Sequence, residues 1–123
     1  AIRTDTVLVA VHHVNHDIGT IQPMREISAI ARKHGVLVFS DATQAVGKVP
    51  VDVNKDGIDL MAFTGHKMYG PTGIGVLYGK KELLEKLIQD ENYRRSIGQI
   101  CASFVQQNTG ATRNILSYFD TQN

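Results

Sequence analysis

Two short, valine-rich apolar runs, Thr6 to His12 (TVLVAVH) and Val36 to Phe39 (VLVF), flank a stretch with helical spacing. That arrangement constrains the fold more than anything else in the chain. Runs this short and β-branched read as buried strands. Between them, Met24 to His34 carries Met24, Ile27, Ile30 and Ala31 at helical spacing with charges in the gaps. Gly35 stands where a helix C-terminal glycine belongs. Strand, helix, strand predicts a right-handed parallel crossover. The expected class is α/β, with a mainly parallel sheet and crossover helices.

The rest of the first 88 residues extends this plan. Val14 to Gly19 is polar and turn-like, and Ala42 to Lys48 reads as a short helical turn. Val49 to Val53 is extended, because Pro50 restricts the residue before it. Asp59 to Phe63 (DLMAF) predicts a third strand, ending at Thr64-Gly65-His66-Lys67. Lys67 to Gly75 holds Gly70, Pro71, Gly73 and Gly75 and must be loop, with Val76 to Tyr78 as a fourth strand. Lys80 to Ile88 is an amphipathic helix with Leu83, Leu84, Leu87 and Ile88 on one face. From Gln89 to Asn123 the composition turns to Gln, Asn, Ser and Thr. The division expected is therefore 1–88, followed by a weakly helical, moderately packed tail over 89–123.

Composition removes several classes of function. With 42% hydrophobic and 20% charged residues the chain is an ordinary globular sequence. A net charge of +1 gives no electrostatic reason to expect nucleic acid or a membrane surface. No apolar run approaches the roughly 20 residues that span a bilayer, and Ala1 to Asp5 has no signal-peptide pattern. One cysteine, Cys101, excludes an internal disulfide and suits a reducing compartment, the cytoplasm or an organelle with a reducing interior. Its neighbours Ile100, Ala102 and Phe104 make it a small buried hydrophobe rather than a nucleophile.

Asp41 and Lys67 both fall where a predicted strand ends. In an open α/β sheet, the crevice at the carboxyl ends of the strands is the ligand site. An acid and an amine in one crevice are the pair that pyridoxal 5'-phosphate (PLP) chemistry needs. The amine forms an imine with the cofactor aldehyde, and the carboxylate keeps the pyridine nitrogen protonated. His12, His13 and His16 suggest a metal, but they leave a strand for a turn and have no cysteine or further partner nearby, so no metal site is expected. The loop Gly70 to Gly75 lacks Gly-Lys-Ser/Thr and is not read as a nucleotide phosphate loop.

Ser40-Asp41-Ala42-Thr43-Gln44, followed by Asp59 to Phe63 and then Thr64-Gly65-His66-Lys67-Met68-Tyr69-Gly70-Pro71-Thr72-Gly73-Ile74-Gly75, resembles the PLP segment of cysteine desulfurases. Upstream, His13-Val14-Asn15-His16-Asp17-Ile18-Gly19 is similar to that family's His-Val-Asn-Asn-Glu-Ile-Gly. The likeness runs from about Thr6 to Leu87. It implies part of the large PLP-binding domain of a fold type I (aspartate aminotransferase-like) enzyme. By the same resemblance, Asp41 pairs with the pyridine nitrogen and Gln44 hydrogen-bonds the phenolic oxygen. Thr43 lies near the ring face, and Asn15 positions the cofactor near the phenolic oxygen and substrate carboxylate. Thr64 and His66 contact the phosphate, Lys67 carries the cofactor, and His13 takes no catalytic role.

The activity implied is conversion of L-cysteine to L-alanine, with the sulfur leaving as a persulfide for an acceptor protein. The resemblance also implies a homodimeric parent enzyme that feeds iron–sulfur cluster assembly or another sulfur acceptor. Such enzymes are about three times this length, so the resemblance also implies a fragment or truncated form. Alternatives are a related class V aminotransferase-type lyase acting on selenocysteine or kynurenine-like substrates, and a catalytically inactive remnant that only folds or binds.

Overall fold

A computed structural model describes residues 1–108. The expected tail beyond Asn108, the burial of Cys101 and the packing of Leu87 lie outside the described residues and side chains. The chain divides into two compact units, 1–81 and 82 onward.

In the first unit the anticipated strand–helix–strand forms from β1 (Leu8–His12), α1 (Met24–Lys33) and β2 (Leu37–Asp41). Two further strands, β3 (Leu60–Thr64) and β4 (Gly75–Gly79), complete a four-stranded sheet of order β1-β2-β3-β4. The first two pairings are parallel and the β3–β4 pairing is antiparallel. Helix α1 stops where Gly35 takes φ +67°, and the amides of Gly35 and Val36 close back onto the carbonyls of Arg32 and Ala31. That backbone conformation is the reason for glycine after the last helical turn.

Period-two alternation sorts the strands into two faces. Val38 and Ser40 of β2 and Met61 of β3 are buried on one of them. The core joins Val38 and Met61 to Met24 and Ala31 of α1 and to Val36, Ala42, Ala45 and Ile58. Ile58 and Val38 are the largest apolar side chains fully enclosed there, each contributing about 1.5–3 kcal/mol by burial.

Two expectations change. β1 is not a buried strand: Leu8, Ala10 and His12 are exposed, and only Val9 and Val11 pack against the core. It is the outermost strand, paired on one side alone, so one set of its apolar residues meets no second layer in this unit. In addition, only the first parallel connection carries a helix. The second, from Ala42 to Asp59, runs through successive turns, because Gly47 takes φ +79° and Pro50 restricts the residue before it to extended backbone.

That second connection is pressed onto α1. Gly57 takes φ +69°, and a Cβ there would meet Ser28 Cβ at 2.8 Å. The Ser28 hydroxyl donates to the Asp56 carbonyl at 2.7 Å, and Asp56 accepts from Arg25 at 3.3 Å. Just before β3, Asp59 accepts the Val38 amide at 2.8 Å and pairs with Lys80. One carboxylate thereby ties β2, β3 and the end of β4 together.

The second unit holds α3 (Glu91–Asn108) and all of α2 (Lys81–Gln89) except its first residue. Helix α3 runs for 18 residues within the stretch expected to be weakly helical. The Asp90 carboxylate accepts the Tyr93 amide at 2.8 Å as an N-cap, and Arg95 reaches back to Glu91 at 2.7 Å. These local devices start a helix whose composition is poor in apolar residues. Lys86 sits 4.8 Å from the Tyr93 ring centroid. Among the described residues no helix is long and apolar enough to cross a membrane.

Candidate functional site

The sheet register carries Asp41 to the carboxyl end of β2, directly opposite His12 at the end of β1. At the end of β3 a single 3-10 turn, Gly65–Met68, follows the strand and presents Lys67. Lys67 therefore stands in an ordered turn immediately after its strand, and the irregular loop begins later. Tyr69 ends the turn at φ 65°, and the Gly65 amide donates to the Ile74 carbonyl at 2.9 Å. This closes the loop against its own base. Gly65 is required for that closure, since a Cβ there would lie 3.0 Å from the Pro71 carbonyl oxygen.

Asp41, Thr43, Gln44 and Lys67 line one cleft of about 300 Å³, together with His12 and His16. That volume lies at the small end of the range for ligand pockets, about 300–1,000 Å³. A larger groove of about 450 Å³, formed mainly by Val46, Val49, Val51 and Phe63, has Asp52 as its one ionisable lining group and little to perform chemistry with.

Within the cleft the Asp41 carboxylate is held at both oxygens. Oδ1 accepts the Thr43 amide at 3.0 Å, and Oδ2 lies 3.3 Å from His12 Nε2. Partial burial pushes its pKa up. The Thr43 hydroxyl and amide, with His12 and His16 nearby, outweigh that and hold Asp41 below the usual carboxylate value. Gln44 turns its carbonyl oxygen to Lys48 Nζ at 2.7 Å, leaving the amide NH2 as its donor end.

The other expected residues do not line this cleft. Asn15 Oδ1 accepts the amides of Asp17 and Ile18 at 2.9 and 3.1 Å, holding the turn after β1. Thr64 Oγ1 and His66 Nδ1 hydrogen-bond each other at 2.7 Å beside the Lys67 turn. His13 is buried with Nδ1 unpartnered, and burial pushes its pKa below the usual value against the opposing charge of Asp56. Among the described residues no cluster of three or more His, Cys, Asp or Glu side chains is arranged to hold a metal.

Sequence reasoning missed His12 and His16 as members of the site. Their rings meet edge to face, with centroids 6.2 Å apart. Parallel register is what brings His12 to Asp41, and no local signal encodes it.

The family model described as aminotransferase class-V matches residues 1–110. The chain belongs to the class-V aminotransferase family. Members of this family are generally PLP-dependent. Among curated relatives, cysteine desulfurase IscS of Buchnera aphidicola subsp. Acyrthosiphon pisum is 52% identical over 87 residues, covering 71% of this chain and 22% of that protein. The mitochondrial cysteine desulfurase of Arabidopsis thaliana is 41% identical over 121 residues, covering 96% of this chain and 25% of the relative. Among solved structures, the cysteine desulfurase CsdA from Escherichia coli superposes with a TM-score of 0.66 at 40% identity, covering 68% of this class-V chain and 21% of CsdA. The fold type I assignment made from the motifs agrees with this neighbour. This class-V chain spans about a quarter or less of the length of these relatives.

Proposed function

We propose that this chain is the cofactor-holding part of a PLP-dependent cysteine desulfurase. The reaction would take L-cysteine and a protein thiol to L-alanine and a protein persulfide. The cysteine sulfur passes to the thiol, and hydrogen replaces it at the substrate β-carbon. A sulfur-acceptor protein would then take the persulfide sulfur, and the whole protein would act as a homodimer in a reducing compartment.

The observation that carries this reading is the shared cleft of Asp41 and Lys67, which lie far apart in sequence. The donor set there fits PLP: a carboxylate kept ionised, an amide donor from Gln44 and a primary amine. When bound, the cofactor supplies an electron-accepting ring for the electrons released at the substrate α-carbon.

In this reading Asp41 holds the proton on the ring nitrogen. Thr43 fixes the Asp41 carboxylate through its amide and would lie beside the ring face. Gln44 would donate its amide NH2 to the phenolic oxygen, and Asn15, from the turn outside the cleft lining, would offer its own amide NH2 to the same oxygen. Thr64 and His66, joined to each other beside the Lys67 turn and outside the cleft lining, would supply hydroxyl and imidazole groups to the phosphate. Lys67 would hold the cofactor through its amine and would serve as the base at the substrate α-carbon.

The test is uptake of PLP by the full chain, followed by visible absorbance and then by borohydride reduction with mass mapping. Cofactor fixed at Lys67 in the native chain, and lost in Lys67→Ala, is the expected result. Labelling spread evenly over the lysines, unchanged in Lys67→Ala and Asp41→Asn, would overturn the reading.

A further inference from the structure

Resting on that reading, we propose that His12 is a positioning residue for the ring-nitrogen acid: its imidazole, reaching across from the neighbouring strand, sets the direction of the Asp41 carboxylate and holds its negative charge. His12 and Asp41 are register partners at the last positions of β1 and β2. The His13 amide donates to the Asp41 carbonyl at 2.8 Å, so the backbone pairing continues just past them. Both side chains therefore leave the same face of a paired backbone, and His12 Nε2 comes to 3.3 Å from Oδ2.

The carboxylate has a different partner on each oxygen, His12 on Oδ2 and the Thr43 amide on Oδ1. Two partners from separate elements fix its rotation, where one would leave it free to turn. Each carboxylate oxygen has two lone pairs, so Oδ2 keeps acceptor capacity for a ring nitrogen while it is paired with His12.

His16 steadies the arrangement. Its ring stands edge-on to His12, with 84° between the ring planes. Its own Nε2 is 3.4 Å from the Asp17 carboxylate. The titratable groups facing the pair are thus His16, with Asp17 beside it in the turn after β1, and Lys67 from the 3-10 turn across the cleft. His12 is more than half exposed and Asp41 about a third exposed. Solvent weakens the charge interaction accordingly, while the geometric restraint remains.

The experiment needs no cofactor and no turnover. Carboxyl-labelled aspartate in the full chain is titrated by NMR in the native protein, His12→Gln and His12→Ala. The alanine variant should raise the Asp41 midpoint by about half a pH unit. Glutamine, which donates a hydrogen bond but brings no charge, should restore part of the shift. The glutamine variant, whose Asp41 midpoint should also lie above the native one, decides the matter should His12→Ala fail to fold. An Asp41 midpoint unmoved in a folded His12→Ala or His12→Gln chain overturns the proposal. A chain that shows the Asp41 shift yet takes up no PLP would leave the pairing standing and remove the functional reading instead.

Discussion

The amide of Gly70 donates to the carbonyl of Gly65 at 2.9 Å, and a Cβ on Gly70 would lie 3.0 Å from that same oxygen. The turn that presents Lys67 is closed by backbone approaching backbone, with no room for a side chain. Gly70→Ala should therefore cost about 1–3 kcal/mol, as overpacking does. Gly73 has φ +78° but open space around it. Gly73→Ala should cost only about 1 kcal/mol, for the left-handed backbone alone. Urea midpoints of the two variants give the comparison, and equal losses would contradict it.

Gly57 combines both penalties: φ +69° and a contact of 2.8 Å between its would-be Cβ and Ser28 Cβ. Gly57→Ala should destabilise by about 3 kcal/mol or more. Ser28→Gly in the same chain should relieve the steric part, although it also removes the hydroxyl bond to Asp56. A double variant no more stable than Gly57→Ala alone would argue against the contact as the cause.

Asp59 is mostly buried and serves both the Val38 amide and Lys80. Asp59→Ala leaves a part-buried amide and an ammonium without their acceptor, at a cost of about 2–4 kcal/mol. Lys80→Met removes the charge but leaves the Val38 amide satisfied, and should cost less. Chemical denaturation of both variants tests the order, and a larger loss in Lys80→Met would reverse it.

His13 should give the chain a pH dependence between the histidine and carboxylate ranges. Burial pushes its folded pKa below the ordinary 6.5. As pH falls through 6.5 the unfolded chain takes up a proton that the folded chain refuses, so folding stability drops. The slope is at most about 1.4 kcal/mol per pH unit and ends once pH passes below the folded value. His13→Phe should flatten this limb between pH 7 and 5. An unchanged slope would assign it to another group.

What could be read from the sequence rests on local physics. Valine-rich runs mark strands because branched side chains fit a pleated surface. Gly35 marks the end of α1 because its left-handed backbone conformation favours glycine. Asp41 and Lys67 were legible as strand-end residues, and the glycines after Lys67 as loop, for the same local reasons. The cap at Asp90 was local too, but the polar composition that surrounds it obscured the helix it starts.

Tertiary structure decided the rest, because it depends on register and on which side of a strand finds a partner. The sequence of β1 is apolar up to its last residue, His12, yet three of its five residues are exposed, since burial is set by neighbouring layers and not by composition. The Asp59 carboxylate bridges Val38 and Lys80 only because β3 lies between β2 and β4. His12 meets Asp41 because two strands pair in one register out of several that their apolar residues would allow, and a shift of one residue would turn His12 to the opposite face.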